Sequence, residues 1–193
     1  MPPVIMLIRH AEKPLGDVPP HGVTQNGVED PESLTTRGWQ RAGALAGLFG
    51  QPEGARSTRP GLPGPTHLFA SKVGVNSSSR RPLETLQPLA DRLGMAVDTR
   101  FLKHEQANLV EALLAIDGVA LVSWEHALIP SMAAQIVGDA AQVPSVWPDD
   151  RYDLVWVFEA DTTRHRFGFR QVPQMLLAGD RPDPIRQEAA RHA

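Results

Sequence analysis

The sequence predicts an α/β domain with a largely parallel sheet that helices cover on both faces. Two observations lead to this prediction. Short, uninterrupted runs of apolar residues, which are typical of strands buried on both faces, recur along the chain. Each of the first four runs is followed by a stretch with apolar residues at helical spacing. Such alternation is characteristic of strand–helix–strand units, in which successive strands run parallel.

The first strand–helix unit lies near the N-terminus. Residues 4–8 form the first predicted strand, and a polar stretch over residues 13–33, rich in proline and glycine, follows as a long loop. Either Thr35 or Thr36 can cap the next helix, because a threonine hydroxyl can accept a hydrogen bond from the first turn. The apolar face of that helix consists of Trp39, Ala42, Leu45, Ala46 and Phe49.

The second unit begins after a loop over residues 50–65, which prolines and glycines interrupt repeatedly. Residues 66–71 form its strand, and residues 82–93 form its helix. Pro88 is expected to kink this helix, and Gly94 is expected to end it. The inner face of the helix contains Leu83, Leu86, Ala90 and Leu93.

The third and fourth units complete the parallel part of the predicted sheet. Residues 96–100 form the third strand. The apolar stripe of the helix after it, which Gly118 ends, contains Leu109, Leu113 and Ile116. Residues 119–123 form the fourth strand. The helix that follows is marked by Ile129, Met132, Ala133, Ile136 and Val137.

The C-terminal part of the chain changes character. Residues 154–158 form a strongly apolar strand. Residues 164–170 alternate, with His165, Phe167 and Phe169 on one face, and this pattern predicts a strand that pairs back as an antiparallel hairpin. From residue 178 onward the chain is polar, so we expect a peripheral tail beyond a core of about residues 4–171.

Composition limits the class of protein. A chain of 193 residues with 41% hydrophobic and 21% charged residues is expected to form a single globular domain, residues 1–193. The net charge of −3 argues against general nucleic-acid or membrane binding, both of which favour an excess of lysine and arginine. Without cysteine the chain can form no disulfide and has no thiol nucleophile. The N-terminus resembles no signal peptide, so we expect a cytoplasmic protein.

Chemically reactive side chains come after each of the four predicted parallel strands. Arg9 and His10 follow the first strand, and Arg81 opens the helix after the second. Glu105 follows the third strand, and Glu125 and His126 follow the fourth. Ligands of open α/β sheets bind at the carboxyl ends of the strands. We therefore expect these six side chains to meet at one edge of the sheet.

This set of side chains suits phosphoryl transfer without a metal. Guanidinium groups bind phosphate oxygens in pairs, and neutral imidazole, whose ordinary pKa is about 6.5, is a competent nucleophile near neutral pH. A carboxylic acid can protonate the departing oxygen. A metal held by His10, His126 and Glu125 is the chemical alternative. Arg9 and Arg81 argue against it, because two fixed cations would repel a divalent ion.

Four segments, in this order, resemble the histidine phosphatase superfamily, also called phosphoglycerate mutase-like. They read LIRHAEKP, LTTRGWQRA, SSSRRPLETLQPLADRLG and LVSWEHALIP, and the resemblance spans roughly residues 4–138. The Arg–His pair after the opening strand and the Arg-x-x-Glu-Thr segment from Arg81 to Thr85 are the most specific parts. The resemblance implies a three-layer α/β/α sandwich with a mostly parallel sheet, and no cofactor.

By this resemblance, individual residues have expected roles. His10 resembles the nucleophile that becomes phosphorylated, and Arg9 and Arg81 resemble the clamp that binds the phosphate. His126 resembles the second histidine, which hydrogen-bonds the transferring phosphoryl group. The proton donor lies at different places in different branches of the superfamily. Glu105 fits one branch and Glu125 loosely resembles the other; we favour Glu105, which lies farther from the arginines and can keep its proton more easily.

The chain departs from the family pattern at three places. Ala11 replaces the usual glycine after the Arg–His pair, and the loop over residues 72–79 is about five residues longer than usual. The usual Ser-His-Gly near the fourth strand is replaced by Ser-Trp-Glu-His-Ala, residues 123–127. The longer loop is expected to shape the mouth of the substrate site. The third change alters the approach to His126 and introduces Glu125.

The sequence therefore predicts a metal-independent phosphatase that acts on a phosphomonoester through a phosphohistidine on His10. The substrate is expected to be a phosphorylated small molecule or a phosphoprotein. A second hypothesis is a catalytically degenerate member that binds a phosphorylated ligand or partner as a sensor or scaffold. A mutase fits less well, because it must shield its phosphoenzyme from water and the sequence contains no evident lid.

Overall fold

The computed structural model describes residues 2–51, 60–161 and 166–186. Its strands are β1 (Val4–Arg9), β2 (His67–Ala70), β3 (Val97–Asp98), β4 (Val119–Trp124), β5 (Leu154–Asp161) and β6 (Arg166–Pro173). Its α-helices are α1 (Thr36–Phe49), α2 (Arg81–Leu93), α3 (Gln106–Leu114) and α4 (Ile129–Val137), and a short 3₁₀ helix covers Ala140–Gln142. No helix in this part of the chain is long and apolar enough to cross a membrane.

The strands form one mixed sheet in the order β3-β2-β4-β1-β5-β6. The first four strands of this order are parallel, with Val4 opposite Val119 and His67 opposite Ala120. β5 runs antiparallel to β1, and β6 pairs antiparallel with β5 as the second strand of a hairpin. The structure confirms the predicted mostly parallel sheet with a C-terminal antiparallel hairpin. Residues 164 and 165, which the sequence assigns to the last strand, lie outside the described residues.

Successive side chains of the central strands alternate between two cores, because neighbouring residues of a strand point to opposite faces. On one face, Ile5 and Leu7 pack with α3 and α4. On the other face, Met6 and Ile8 pack with α1 and α2. All four side chains are fully buried. Helices on both faces of the sheet confirm the three-layer α/β/α architecture.

The helix termini follow the capping signals in the sequence. The Thr35 hydroxyl accepts a hydrogen bond from the Gly38 N–H at 3.2 Å and caps α1. Gly94 ends α2 in the left-handed conformation, with φ of 64°, as glycine readily does. Pro88 lies inside α2. The N-terminal loop contains only isolated bridges, and residues 52–59 of the next predicted loop lie outside the described residues.

The predictions around the third helix are partly wrong. α3 ends at Leu114, so Ile116 lies beyond it although it packs against the same core. Gly118, which the sequence assigns to the helix end, has φ of 116° and lies where β4 begins. A Cβ at that position would lie 2.5 Å from the Thr66 hydroxyl, so close packing in the sheet requires the glycine there. The third strand spans only the two residues Val97–Asp98.

The expectation of a peripheral tail beyond a core of residues 4–171 is wrong for the segment up to residue 186. Gln174 is fully buried, and Ile185 belongs to the same hydrophobic core as α3 and α4. The carboxylate of Asp180 pairs with Arg41 of α1 at 2.8 Å, and both side chains are almost completely buried. A buried guanidinium needs buried partners, and the C-terminal segment supplies one.

Candidate active site

Four of the six predicted site residues line one pocket at the carboxyl ends of the parallel strands. The pocket has a volume of about 160 Å³, and we call it the His10 pocket. Of the predicted residues, it is lined by His10, Arg81, Glu125 and His126. These come from β1, the first turn of α2 and the segment after β4, so the parallel order of the strands brings them together.

The imidazole of His10 is held in one tautomer. Its Nδ1 lies 2.8 Å from the Ala11 carbonyl oxygen, which can only accept, so Nδ1 carries the proton and Nε2 keeps its lone pair. The Ala11 N–H in turn donates to the Thr85 hydroxyl at 2.8 Å, which ties this backbone to α2. Burial, with a smaller contribution from the positive charges of Arg9 and Arg81, lowers the pKa of His10 to about 3, although the hydrogen bond to Ala11 acts in the opposite direction.

Arg9 is buried beside the pocket rather than among its lining residues. Its Nη1 donates to the carbonyl oxygens of Asp149 at 2.6 Å and Arg151 at 3.2 Å, and its Nη2 donates to the Tyr152 hydroxyl at 3.0 Å. Its Nε–H is buried and has no partner in the described part of the chain. The positive charge of Arg9 lowers the pKa of both His10 and His126.

Arg81 is the first residue of α2 and points a partly free guanidinium at the His10 pocket. Its Nη1 donates to the Pro31 carbonyl at 2.8 Å, and its Nη2 lies 3.5 Å from the Glu32 carboxylate. Its Nε–H is buried without a partner among the described residues. The start of a helix disfavours a cation unless an anion lies nearby, so this position suits an anion-binding arginine.

The extended loop over residues 72–79 adds hydroxyl groups to the pocket. Ser77 and Ser79 line it, and their hydroxyl oxygens are buried without partners in the described chain. Counted over the residues that the structure describes, seven buried side-chain polar atoms have no partner. Four of the seven belong to lining residues of the pocket, Ser77, Ser79, Arg81 and His126, and a fifth belongs to Arg9 beside it. Unpartnered buried polar groups are rare, so their concentration at one pocket indicates a polar ligand.

His126 is oriented by a carboxylate that the sequence did not predict. Its Nε2 lies 2.5 Å from Oδ1 of Asp149, and its buried Nδ1 has no partner within the described residues. A carboxylate can only accept, so Nε2 carries a proton and Nδ1 is left for the pocket. Burial and the charge of Arg9 lower the pKa of His126, whereas Asp149 opposes this shift.

The two predicted proton donors differ in position. Glu105 does not line the His10 pocket: its carboxylate folds back and accepts a hydrogen bond from the Leu102 N–H at 2.7 Å. It follows β3, a two-residue strand at the outer edge of the sheet. Glu125 does line the pocket and pairs with Lys103 at 3.1 Å. Glu125, and not the favoured Glu105, is therefore the carboxylate that lines the pocket of His10.

The polar residues of the site that were not identified from the sequence include Lys13, Lys103 and Asp149. Lys13 stands three residues after His10 in the segment LIRHAEKP, so its place beside the nucleophile was a usable signal. Lys103 and Asp149 lie in loops whose paths the residue pattern does not determine. Within the described ranges, no cluster of three or more histidine, aspartate or glutamate side chains has the geometry to hold a metal ion.

No family model matches the chain, and no curated protein matches it in sequence. Solved structures match it in fold. A mycobacterial glucosyl-3-phosphoglycerate phosphatase, solved with VO3, has a TM-score of 0.52 and 17% identity, and the match covers 87% of this chain and 96% of that one. YhfR of Bacillus stearothermophilus has a TM-score of 0.53 and 12% identity, covering 86% and 94% of the two chains.

A phosphoserine phosphatase from Entamoeba histolytica, solved as a variant with phosphoserine, has a TM-score of 0.52 and 12% identity over 86% of this chain and 94% of its own. The chain therefore has the fold of the histidine phosphatase superfamily, as the order of its sequence motifs implies. At this level of identity the likeness establishes the fold, and function rests on the site itself.

Proposed function

We propose that this chain is a phosphatase that hydrolyses a phosphomonoester through a phosphohistidine on His10. The observation that carries the proposal is the state of the His10 ring. Its Nδ1–H donates to the Ala11 carbonyl, and its pKa lies far below neutrality, so Nε2 presents an unprotonated lone pair at physiological pH. The ring shares its pocket with a partly free guanidinium, that of Arg81, which suits a phosphate ester.

In the first step, His10 Nε2 attacks the phosphorus atom, the N–P bond forms and the bond from phosphorus to the ester oxygen breaks. Negative charge on the phosphoryl oxygens is stabilised by the free N–H of Arg81 and, when His126 is protonated, by its Nδ1–H. Ser77 and Ser79 supply further hydroxyl donors to the same oxygens. The alcohol leaves with a proton, for which Glu125 is the carboxyl group at hand.

In the second step, water attacks the phosphorus atom of the phosphohistidine. Glu125, now a carboxylate, accepts a proton from that water, the N–P bond breaks and inorganic phosphate leaves. The enzyme returns to its starting state, in which Nδ1–H of His10 still donates to the Ala11 carbonyl. Each atom in this scheme comes from the ester, the water or this chain.

The direct test is labelling with a phosphorus-labelled aryl phosphate, quenched without acid. We expect a label that acid removes and base does not, and we expect His10→Ala to lose both the label and turnover. The matched control is His21→Ala, because His21 lies on the exposed N-terminal loop in contact with Glu29. Activity is expected to survive a chelator. Full turnover by His10→Ala would disprove the mechanism.

A second candidate function is phosphate-ester binding without turnover, and one observation favours it. The loop over residues 148–152 engages Nη1 of Arg9 and one N–H of Nη2, so only Nε–H and the second N–H of Nη2 remain for a ligand. A clamp reduced in this way can bind an ester while stabilising the transition state less. Tight binding of phosphate with no aryl phosphate turnover would favour this alternative.

A further inference from the structure

The His10 pocket is too small for most of an ester substrate. Its volume is about 160 Å³, whereas sites for small organic molecules commonly measure about 300–1,000 Å³. Several of its lining groups are phosphate binders: Arg81, His126 and the serines of the loop over residues 72–79. The pocket therefore holds a phosphoryl group, and the alcohol part of a larger ester must lie outside it.

A larger cavity, which we call the side cavity, lies next to the His10 pocket. It has a volume of about 530 Å³ and runs between the segment after β1, the start of α1 and the loop before β5. Lys13 lines both cavities. Two other residues of the side cavity lie beside the reactive histidines. Asp149 accepts a hydrogen bond from His126, and the centroid of the Tyr152 ring lies 6.4 Å from that of the His10 ring.

Most charged groups of the side cavity are paired with an opposite charge. Its lining includes five carboxylates and four cations. Arg41 pairs with Glu12 and with Asp180, each at 2.8 Å. Arg181 pairs with Asp150 at 3.0 Å. A second anionic group would meet more carboxylates than cations, so the cavity disfavours one. Paired carboxylates and guanidiniums still offer lone pairs and N–H groups to neutral hydroxyls.

The remaining walls suit the carbon skeleton of a polyhydroxy compound. Leu15, Pro20 and the ring of Tyr152 line the side cavity and provide apolar contact surface. Binding sites for small molecules commonly combine such surface with a few convergent polar groups. Lys13 forms no ion pair within the described part of the chain, so its ammonium at the shared wall is available to the phosphate or the bridging oxygen.

We propose that the side cavity binds the alcohol part of the substrate, and that this part is a neutral polyhydroxy group about the size of a hexose. The substrate class is then a sugar phosphate, with its phosphoryl group at His10 and its hydroxyls among the paired charges. This inference rests on the proposed function for the place of the phosphate. It adds a binding site and a substrate class to that function.

The test compares the binding of glucose 6-phosphate with that of methyl phosphate, in a His10→Ala background that does not consume the esters. Calorimetry is expected to give a dissociation constant at least about tenfold lower for glucose 6-phosphate, since each well-placed hydrogen bond to a charged group contributes roughly a factor of ten. Added Leu15→Trp should remove this advantage, because Leu15 lines the cavity and the larger indole would occupy space there. Leu15 is 73% exposed, so the substitution should leave the core unchanged. Added Val18→Trp is the control, because Val18 is 63% exposed on the same loop and does not line the cavity.

Each result decides the proposal. Equal binding of the two esters, or an advantage that survives Leu15→Trp, would overturn the side cavity as a sugar site. Both results leave the phosphohistidine on His10 intact, because that step is tested separately by labelling. Binding of neither ester would contradict the phosphate site and with it both proposals. An advantage lost in Leu15→Trp and kept in Val18→Trp supports the sugar site.

Discussion

Hydrogen bonds and burial determine the chemistry of the individual site residues. The His10 ring has one nitrogen bound by a carbonyl, and its burial lowers its pKa to about 3. Its nucleophilic form is therefore present at every pH at which the protein is expected to work. A pH dependence of turnover near neutrality must come from other groups, and His126 is the first candidate because Asp149 and Arg9 act on it in opposite directions.

Asp149→Asn tests the role of Asp149 in positioning His126. The carboxylate raises the pKa of His126, and only a protonated His126 can donate through Nδ1 to a phosphoryl oxygen. We expect kcat for an aryl phosphate to fall roughly tenfold or more, with little change in KM. Turnover falls as pH rises through the pKa of His126, and in the variant this fall should begin at lower pH.

The measurement for Asp149 is the pH profile of kcat/KM between about pH 4.5 and 8.5, which reports groups of the free enzyme. The control is Asp98→Asn, which removes a half-buried carboxylate that pairs with Arg100 and does not line the pocket. An Asp149→Asn profile that overlies the wild-type profile would rule out the positioning role.

Glu125→Gln and Glu105→Gln together decide the proton donor. Glu125 lines the His10 pocket, whereas the carboxylate of Glu105 accepts a bond from the Leu102 backbone. An alkyl alcohol needs protonation as it leaves and a nitrophenolate hardly does. Glu125→Gln should therefore slow alkyl phosphates by roughly a hundredfold and slow nitrophenyl phosphate much less.

For Glu105→Gln, the ratio of the turnover rates of alkyl and nitrophenyl phosphates, measured in the same steady-state assay, should equal that of the wild type. If the pattern instead belongs to Glu105→Gln, the loop before α3 must move over the pocket during turnover. If neither variant slows alkyl phosphates selectively, the proton comes from water or from the substrate.

Elements of the fold bring these residues within reach of one ligand. The parallel strands β1, β2 and β4 end at the same edge of the sheet, and the chain after each carries part of the pocket. The long loop after β2 turns back at the bridge between Gly74 and Ser77, which buries the Ser77 hydroxyl at the pocket. The expectation that this loop shapes the substrate mouth agrees with its place in the lining.

The double variant Ser77→Ala and Ser79→Ala tests the contribution of this loop. Both hydroxyls are buried and without partners in the described chain, so a bound phosphate is their available acceptor. Loss of each hydrogen bond to an anion should weaken binding by about 1.5 kcal/mol, or roughly tenfold. The inhibition constant of inorganic phosphate or vanadate is the measurement. Ser131→Ala is the control, because Ser131 is exposed on α4 and does not line the pocket, and an equal effect there would contradict the assignment.

At the scale of the whole molecule, the C-terminal segment joins α1 to the end of the hairpin. Arg41 of α1 donates to Glu12 and Asp180 and also to Gln174, which is itself fully buried. This network connects the segment after the nucleophile to residues more than 130 positions later in the chain. It thereby forms one wall of the side cavity.

Arg41→Met tests how much this network stabilises the fold. Removing one partner of a buried ionic group leaves the other charges uncompensated, which typically costs about 3–5 kcal/mol. We expect the free energy of unfolding, measured with urea, to fall by about that amount. Arg100→Met removes an exposed pair with Asp98 and should change it by less than about 1 kcal/mol. Equal effects of the two variants would mean that the C-terminal segment does not stabilise the fold.

The sequence by itself determined the order and type of the elements and the core of the candidate site. Buried strands such as β1 and β4 have continuous apolar runs, and the helix ends at Thr35 and Gly94 follow from local capping chemistry. His10, Arg81, Glu125 and His126 were identified because parallel strands deliver whatever follows them to one edge. These features depend on residues close together in the chain.

Only the tertiary structure decided what depends on distant residues. Whether Glu105 or Glu125 enters the pocket is set by how the loop from the edge strand β3 folds, and residue types do not encode that path locally. The pairing of Asp149 with His126 joins two loops, and that of Arg41 with Asp180 joins α1 to the C-terminal segment. A polar residue has the same local pattern whether water or a buried partner satisfies it, and only the folded chain distinguishes the two.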